Sequence, residues 1–496
     1  MQEAARVTEI TTEFQRIYDL LASIVGEGYV STRKAERFLY SRDWTGTTSL
    51  LSPVEPDFVV MPKTTEEVQR IVRLANRYNI PLVPQCTNLT SLGVAHSWEG
   101  GIRIDLRRMN RILEVNEGDM YAVLEPGVTW GDFAKYIDEH HPEFAHPGCH
   151  GPAGAGVVPM YLSWGMPNDG FLTGSAENIQ GLEVILPTGE LIRTGSAIAS
   201  PYWFGRLPLL DITGLFVGAM GSTGIITKAA IGIWPKHLKS DIYIAAPNYR
   251  EGLYQISKKL VRANLGITWF MTVNHACLAS FGGQPNSNIP LDPEAAGQPD
   301  YHAIITVKAY SEKEMDAKLE SLTEIAQAGG AAHISTMEDL LTSFPTENRS
   351  ILPNVLNEPS QTYTIVQDGG LEYSGTYGPM DTHADFYYAC RRLCAEKYNW
   401  PIHWFSRFMK GGHYSCIRPC FFSYDRNDPE EVKRVHQMAK DCGRIALEHG
   451  AIPYKANPWK MRLIAEKADA GSVEFIRRLQ KFLDPKGIMN PGSGRV

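Results

Sequence analysis

Long hydrophobic runs are missing from this chain. No window of about twenty apolar residues occurs in its sequence, so no membrane-spanning helix is predicted. Basic clusters are missing as well. The net charge is -7, and without a Lys/Arg run or stripe nothing suits nucleic acid. Cysteine is sparse and scattered: Cys86, Cys149, Cys277, Cys390, Cys394, Cys416, Cys420 and Cys442. That usage reads as reduced cytosolic thiols, not a disulfide frame, and places the protein in the cytoplasm. Cys390/Cys394 and Cys416/Cys420 are four apart, unlike the two-residue gap of a zinc knuckle. They are expected as buried small side chains, with a metal site as the alternative. No repeat of solenoid length is present. The first residues, MQEAARVTEITTEFQRIYDLLASIVGEG, carry acids early and no uncharged apolar stretch. They read as an amphipathic helix, not a signal peptide.

What is present is an ordinary folded composition, 43% hydrophobic and 21% charged over 496 residues. That length exceeds a single core, so at least two domains are expected. Residues 56 to 235 alternate strand and helix, beginning with a βαβ unit. Its parts are PDFVVMPKT, the helix TEEVQRIVRLANRYN opened by Thr65, Glu66 and Glu67, and the strand IPLVPQ. GLEVILPTGELIRTG predicts a hairpin turning at Pro187–Glu190. From about 240 to 460 the texture changes to strands each followed by an amphipathic helix, an α+β pattern with helices on one sheet face. A helix and an extended tail close the chain. The expected units are 1–240, 241–465 and 466–496.

Four stretches could carry chemistry. The loop Pro84 to Ala95 holds Thr87, Asn88, Thr90, Ser91 and Gly93, whose hydroxyls, amide and backbone N–H groups could cradle phosphate. The bland alternative is a polar loop without a ligand. Residues 146–156 are dense in small side chains, including Gly148, Cys149, Gly154 and Gly156, and could admit a flat ligand. Asn178 stands just before the hairpin. LDITGLFVGAMGSTGIITKAAIGIWP places Gly214, Gly218, Gly221 and Gly224 before a buried strand containing Ile226.

These motifs, in this order and with LDPKGIMNPG at the end, resemble the FAD-binding fold of the vanillyl-alcohol oxidase/p-cresol methylhydroxylase superfamily. The resemblance covers about residues 54–236 and 483–492. It implies an FAD-binding (PCMH-type) domain plus a cap domain with an antiparallel sheet covered by helices. By position it puts Thr87, Asn88, Thr90, Ser91 and Gly93 at the pyrophosphate. Gly148, Gly154, Gly156 and Asn178 fall along the flavin, and Gly221, Gly224 and Ile226 near the ADP half. The first loop departs from the family, since Gln85 to Leu92 contains no glycine. The family often binds FAD covalently; Cys149 and Tyr398 are the candidates here, with non-covalent FAD favoured.

The C-terminal half bears on the substrate. Glu448-His449-Gly450 resembles the metal-bearing Glu-His-Gly of the 2-hydroxyacid branch but reads better as a helix stop. Tyr454-Lys455 resembles the Tyr-Arg pair that binds phenolate in the 4-alkylphenol branch, with a point charge in place of a planar fork. His413 and Arg418 lie in a strand-rich stretch, where either could serve as a base or anion clamp; ordinary sheet residues are the alternative. The reading is an FAD oxidoreductase moving hydride from a para-substituted phenol or aryl alcohol to flavin N5. Reoxidation is by O2 or an electron carrier, with a cytochrome among the partners the family allows, and a homo-oligomer is expected. A D-2-hydroxyacid dehydrogenase or sugar oxidase is the enzymatic alternative, and a non-catalytic electron-transfer subunit the other.

Overall fold

The computed structural model describes residues 2–43, 46–89, 92–146, 148, 151–246, 252–344, 346, 349 and 369–495. Three of the candidate site residues, Thr90, Ser91 and Cys149, lie outside them. The first sheet joins β1 (Val30–Ser31), β2 (Phe58–Val60), β3 (Leu82–Gln85) and β4 (Ile102–Asp105) in the order β1-β2-β4-β3. β2, β4 and β3 run parallel. The helix Thr65–Tyr78 links β2 to β3 and buries Val68, Ile71, Val72, Leu74 and Ala75. Its cap is Thr64, one residue before the sequence-predicted start, because the Thr64 hydroxyl accepts from Glu67 N.

The second sheet contains β5 (Ile112–Asn116), β6 (Tyr121–Leu124), β8 (Ile179–Ile185), β9 (Leu191–Arg193) and β10 (Ile225–Gly232), ordered β5-β6-β10-β8-β9. β7 (Phe144–Ala145) and β11 (Trp234–Pro235) form a small separate ribbon. The expected hairpin is β8–β9, with Gly189 at φ +87° in its turn. β10 pairs with β8 from Ile225 to Ile231 and with β6 over Ala229–Gly232, and its apolar residues are buried, as its β-branched run predicts.

The remaining strands form one antiparallel sheet: β12 (Leu238–Ala245), β13 (Ile267–Asn274), β14 (Tyr301–Ala309), β15 (His333–Ser335), β16 (Gly369–Tyr373), β17 (Thr376–Gly378), β18 (His403–Met409), β19 (Tyr414–Asp425) and β20 (Ile452–Pro453). Helices Gly252–Arg262, Glu312–Ala328, His383–Tyr398 and Pro429–Glu448 pack on one face, around Ile256, Phe270, Phe386, Trp404 and Phe421. Cys390, Cys394 and Cys442 are buried in this core, and no group of three His, Cys, Asp or Glu among the described residues is arranged to hold a metal. The opposite face carries Trp269, Met271, Phe405, Cys420 and Phe422. Strand alternation divides the two sets: Ile417 and Phe421 point to the helices, Cys416, Cys420 and Phe422 to the other side.

Side chains tie this second face to the segment between β7 and β8. Lys308 on β14 pairs with Asp169 at 2.5 Å, both buried. Arg407 on β18 donates to Pro167 O and Asn168 Oδ1, and Tyr377 donates to Trp164 O. The end of the chain returns to the first sheet: Leu82 N donates to Ile488 O and Asn490 N to Leu82 O. No helix among the described residues is long and apolar enough to cross a membrane.

Candidate active site

A long cavity runs from the C-terminal end of β3 to the apolar face of the large sheet, with about 1630 Å³ of empty space including its mouth. Three chain segments distant in sequence form its first half. The end of β3 and the loop after it supply Gln85, Cys86, Thr87, Asn88 and Leu89; residues 151–166 supply Gly151, Ala155, Gly156 and Ser163; the glycine-rich segment and the start of β10 supply Gly221, Gly224 and Ile226. Asn88 adopts φ +55°, a left-handed conformation that asparagine tolerates. It makes the turn for which this loop has no glycine. Asn88 Oδ1 is buried without a hydrogen-bond partner, which marks an acceptor aimed at something other than protein. Gly221 sits at φ +80°, and a Cβ there would stand 2.6 Å from Pro84 Cγ. The glycine lets two walls of the cavity meet.

Several expected contacts are used differently. Gly93 N donates to Asp43 Oδ2 at 2.6 Å, so this amide serves a carboxylate that also caps Gly46 N. Gly148 N donates to His146 Nδ1; burial pushes that imidazole down to about 4, which keeps it a neutral acceptor. Asn178 donates to Tyr161 Oη and Gly232 O, tying a short helix to β10. Gly154 lies against Leu89 and does not line the cavity. Tyr398 donates to Asp441 Oδ2 on a neighbouring helix of the large sheet's outer layer, away from the cavity. His413 is exposed in the turn between β18 and β19. At about 3.3 Å per residue it is roughly 16 Å along the strand from Arg418.

The far half of the cavity is an aromatic box. Phe281, Leu371, Tyr373, Phe405, Phe422 and Cys420 line it, together with Arg418 and Lys455. The Arg418 guanidinium lies over the rings of Tyr373 at 4.9 Å, Phe405 at 5.4 Å and Tyr454 at 5.6 Å. Lys455 Nζ donates to Tyr373 Oη at 2.9 Å. Tyr454 stands behind them, and its hydroxyl is buried without a hydrogen-bond partner. Burial raises both phenols, Tyr373 and Tyr454, so each remains a neutral donor at neutral pH. Lys455 holds φ +54°, a strained conformation of the kind that clusters at functional sites.

A buried support lies behind this box. Lys460 Nζ donates to Tyr454 O, and burial pushes the lysine down to about 8 against the attraction of Glu372. Glu372 accepts from Thr47 N and Thr47 Oγ1. Gly375 O accepts from Tyr454 N, and a Cβ on Gly375 would stand 2.3 Å from Tyr454 Cε1. Sequence reading missed Tyr373, Phe281, Phe422 and Gly375. Only strand alternation out from Arg418 could have found one of them, Phe422; the others come from elements far apart in the chain.

The known proteins that this chain resembles identify the cofactor. Residues 56–195 match the FAD binding domain, and 286–493 match the C-terminal domain of FAD linked oxidases, together more than two thirds of the chain. The chain is 25% identical to glycolate oxidase subunit GlcD of Bacillus subtilis, over 96% of each protein. It is 24% identical to a probable mitochondrial D-lactate dehydrogenase of Danio rerio, over 98% of this chain and 93% of that one. In structure it superimposes on 4-ethylphenol oxidase of Gulosibacter chungangensis with a TM-score of 0.80 at 21% identity, over 98% and 97% of the two chains. With both halves of the chain matched, this protein belongs to the FAD-linked oxidases, is an FAD-dependent oxidoreductase and shares the fold of 4-ethylphenol oxidase and p-cresol methylhydroxylase.

Proposed function

We propose that the enzyme oxidises a para-substituted phenol or aryl alcohol. The observation that carries this reading is the aromatic box closed by the Lys455–Tyr373 pair at the end of the cavity. Phe281, Phe405 and Phe422 suit a flat ring. Lys455 and the Tyr373 hydroxyl hold the phenolic oxygen and favour its loss of a proton, and the unpartnered Tyr454 hydroxyl supplies a further donor. A phenolate pushes electron density through the ring to its para position and eases departure of hydride from the benzylic carbon attached there. Thr87, Asn88, Gly156, Gly221, Gly224 and Ile226 would hold the FAD, which would supply the hydride acceptor and hand electrons on to O2 or a carrier.

The flavin is held without a covalent bond in this reading. Tyr398 is committed to Asp441, and acid precipitation should leave the flavin in the supernatant. The names of GlcD and the D-lactate dehydrogenase favour a second reading, oxidation of a 2-hydroxy acid. Anaerobic mixing of the holoenzyme with 4-ethylphenol, vanillyl alcohol, glycolate and D-lactate separates the two. Bleaching of the flavin band by the phenols supports the first; bleaching by the acids alone overturns it.

A further inference from the structure

Arg418 is unlike the other buried arginines of this protein. Arg103 is held by Gln85 Oε1 and Tyr40 O and Arg407 by Pro167 O and Asn168 Oδ1; the half-buried Arg391 pairs with Asp300 and Glu294. Arg418 is 8% exposed; its Nε is unpartnered as in Arg103 and Arg407, but unlike them it donates to no oxygen and forms no ion pair with a carboxylate among the described residues. It meets the faces of Tyr373, Phe405 and Tyr454 and opens on the cavity. Ring faces attract a guanidinium but offer its N–H donors no oxygen acceptor, and the neighbouring Cys416 thiol is a weak one. A buried cation without an anion is costly, and the cost is removed when a ligand brings the anion.

We infer that the occupant of the aromatic box carries a carboxylate as well as its ring, and that Arg418 grips that carboxylate. The inference rests on the aryl reading of the site and names its substrate class: a phenol or aryl alcohol bearing an acid group. The planar fork of Arg418 matches the two carboxylate oxygens. Lys455, a point charge already directed at Tyr373 Oη, is left for the phenolic oxygen. The two cations thus divide the two oxygen-bearing ends of one ligand. Neutral alkylphenols would satisfy Lys455 and leave Arg418 without a partner.

The test uses the FAD holoenzyme and ligands with no oxidisable C–H bond. 4-Hydroxybenzoate and 4-hydroxybenzamide have nearly the same shape, and only the first is charged. Their dissociation constants are read from perturbation of the flavin absorbance. The wild-type enzyme should prefer 4-hydroxybenzoate by at least tenfold. That preference should collapse to near unity in Arg418→Gln and be partly kept in Arg418→Lys. Equal affinity of the wild type for the two ligands overturns the inference, and this arm needs no variant to fold. A preference that survives in Arg418→Gln overturns it too, by placing the anion on another residue. Equal weakening of both ligands in Arg418→Gln assigns the guanidinium to the flavin or the phenolic oxygen and also overturns it. Failure of the aryl reading is seen separately: the carboxylate preference would stand while no phenol or aryl alcohol bleached the flavin.

Discussion

Gly375→Ala isolates the placement of one ring. The new Cβ would lie 2.3 Å from Cε1, 2.9 Å from Cζ and 3.1 Å from the hydroxyl of Tyr454, whereas ordinary contact begins near 3.4 Å. The ring, or the backbone joined to it through Tyr454 N and Gly375 O, must therefore move by about 1 Å. A misplacement of about that size at a reacting site costs roughly 10²-fold in rate. Overpacking of this kind also costs about 1–3 kcal/mol of stability. The first half of the cavity is untouched, so FAD content should be unchanged. The assay is stopped-flow anaerobic reduction of the flavin by 4-ethylphenol, with urea denaturation in parallel. The expected result is a fall of about 10²-fold in the second-order reduction rate. In a Tyr454→Ala background, where no ring is left to collide, the same substitution should add little. An unchanged rate in folded Gly375→Ala, or equal losses in both backgrounds, refutes the reasoning.

Gly221→Val places side-chain atoms against Pro84 at a left-handed position. FAD retention should drop at least about tenfold, a loss worth about 1.4 kcal/mol, and the flavin-to-protein absorbance ratio after gel filtration checks it. Lys308→Met leaves Asp169 buried without its cation. It should cost about 3–5 kcal/mol in chemical denaturation, with part regained in Lys308→Met/Asp169→Asn. Lys460 titrates near 8 when folded against its ordinary 10.5. Between those values the unfolded chain binds more protons, so the lysine's penalty is present below about pH 8 and is relieved as pH rises to 10.5. Lys460→Met should therefore flatten the rise of unfolding free energy across that window by up to about 1.4 kcal/mol per pH unit. Equal slopes in the two proteins would show that the lysine is not held in this way.

The cofactor half was legible because its signals are local. The βαβ unit, the β8–β9 hairpin and β10 each follow from hydrophobic period and turn residues within a short window. Thr87, Asn88, Gly221 and Gly224 lie on loops fixed by those elements, and the structure brings them to one cavity. Gly93, Gly148 and Asn178 carried the same polar or glycine signature, yet their hydrogen bonds go to protein partners. Composition shows that an amide or a donor exists; it does not show where the donor points.

By itself, the sequence determined an FAD fold in two parts and marked Tyr454, Lys455 and Arg418 as chemistry in the second part. Tertiary structure alone decided what surrounds them. Tyr373 and Lys455 are 82 residues apart and share a hydrogen bond; Phe281 comes from a helix after β13, and Gly375 from the turn between β16 and β17. Long-range pairing of antiparallel strands sets these neighbours. A shift of one residue in β19 would turn Arg418 from the cavity into the helix-covered core, because successive side chains point to opposite faces.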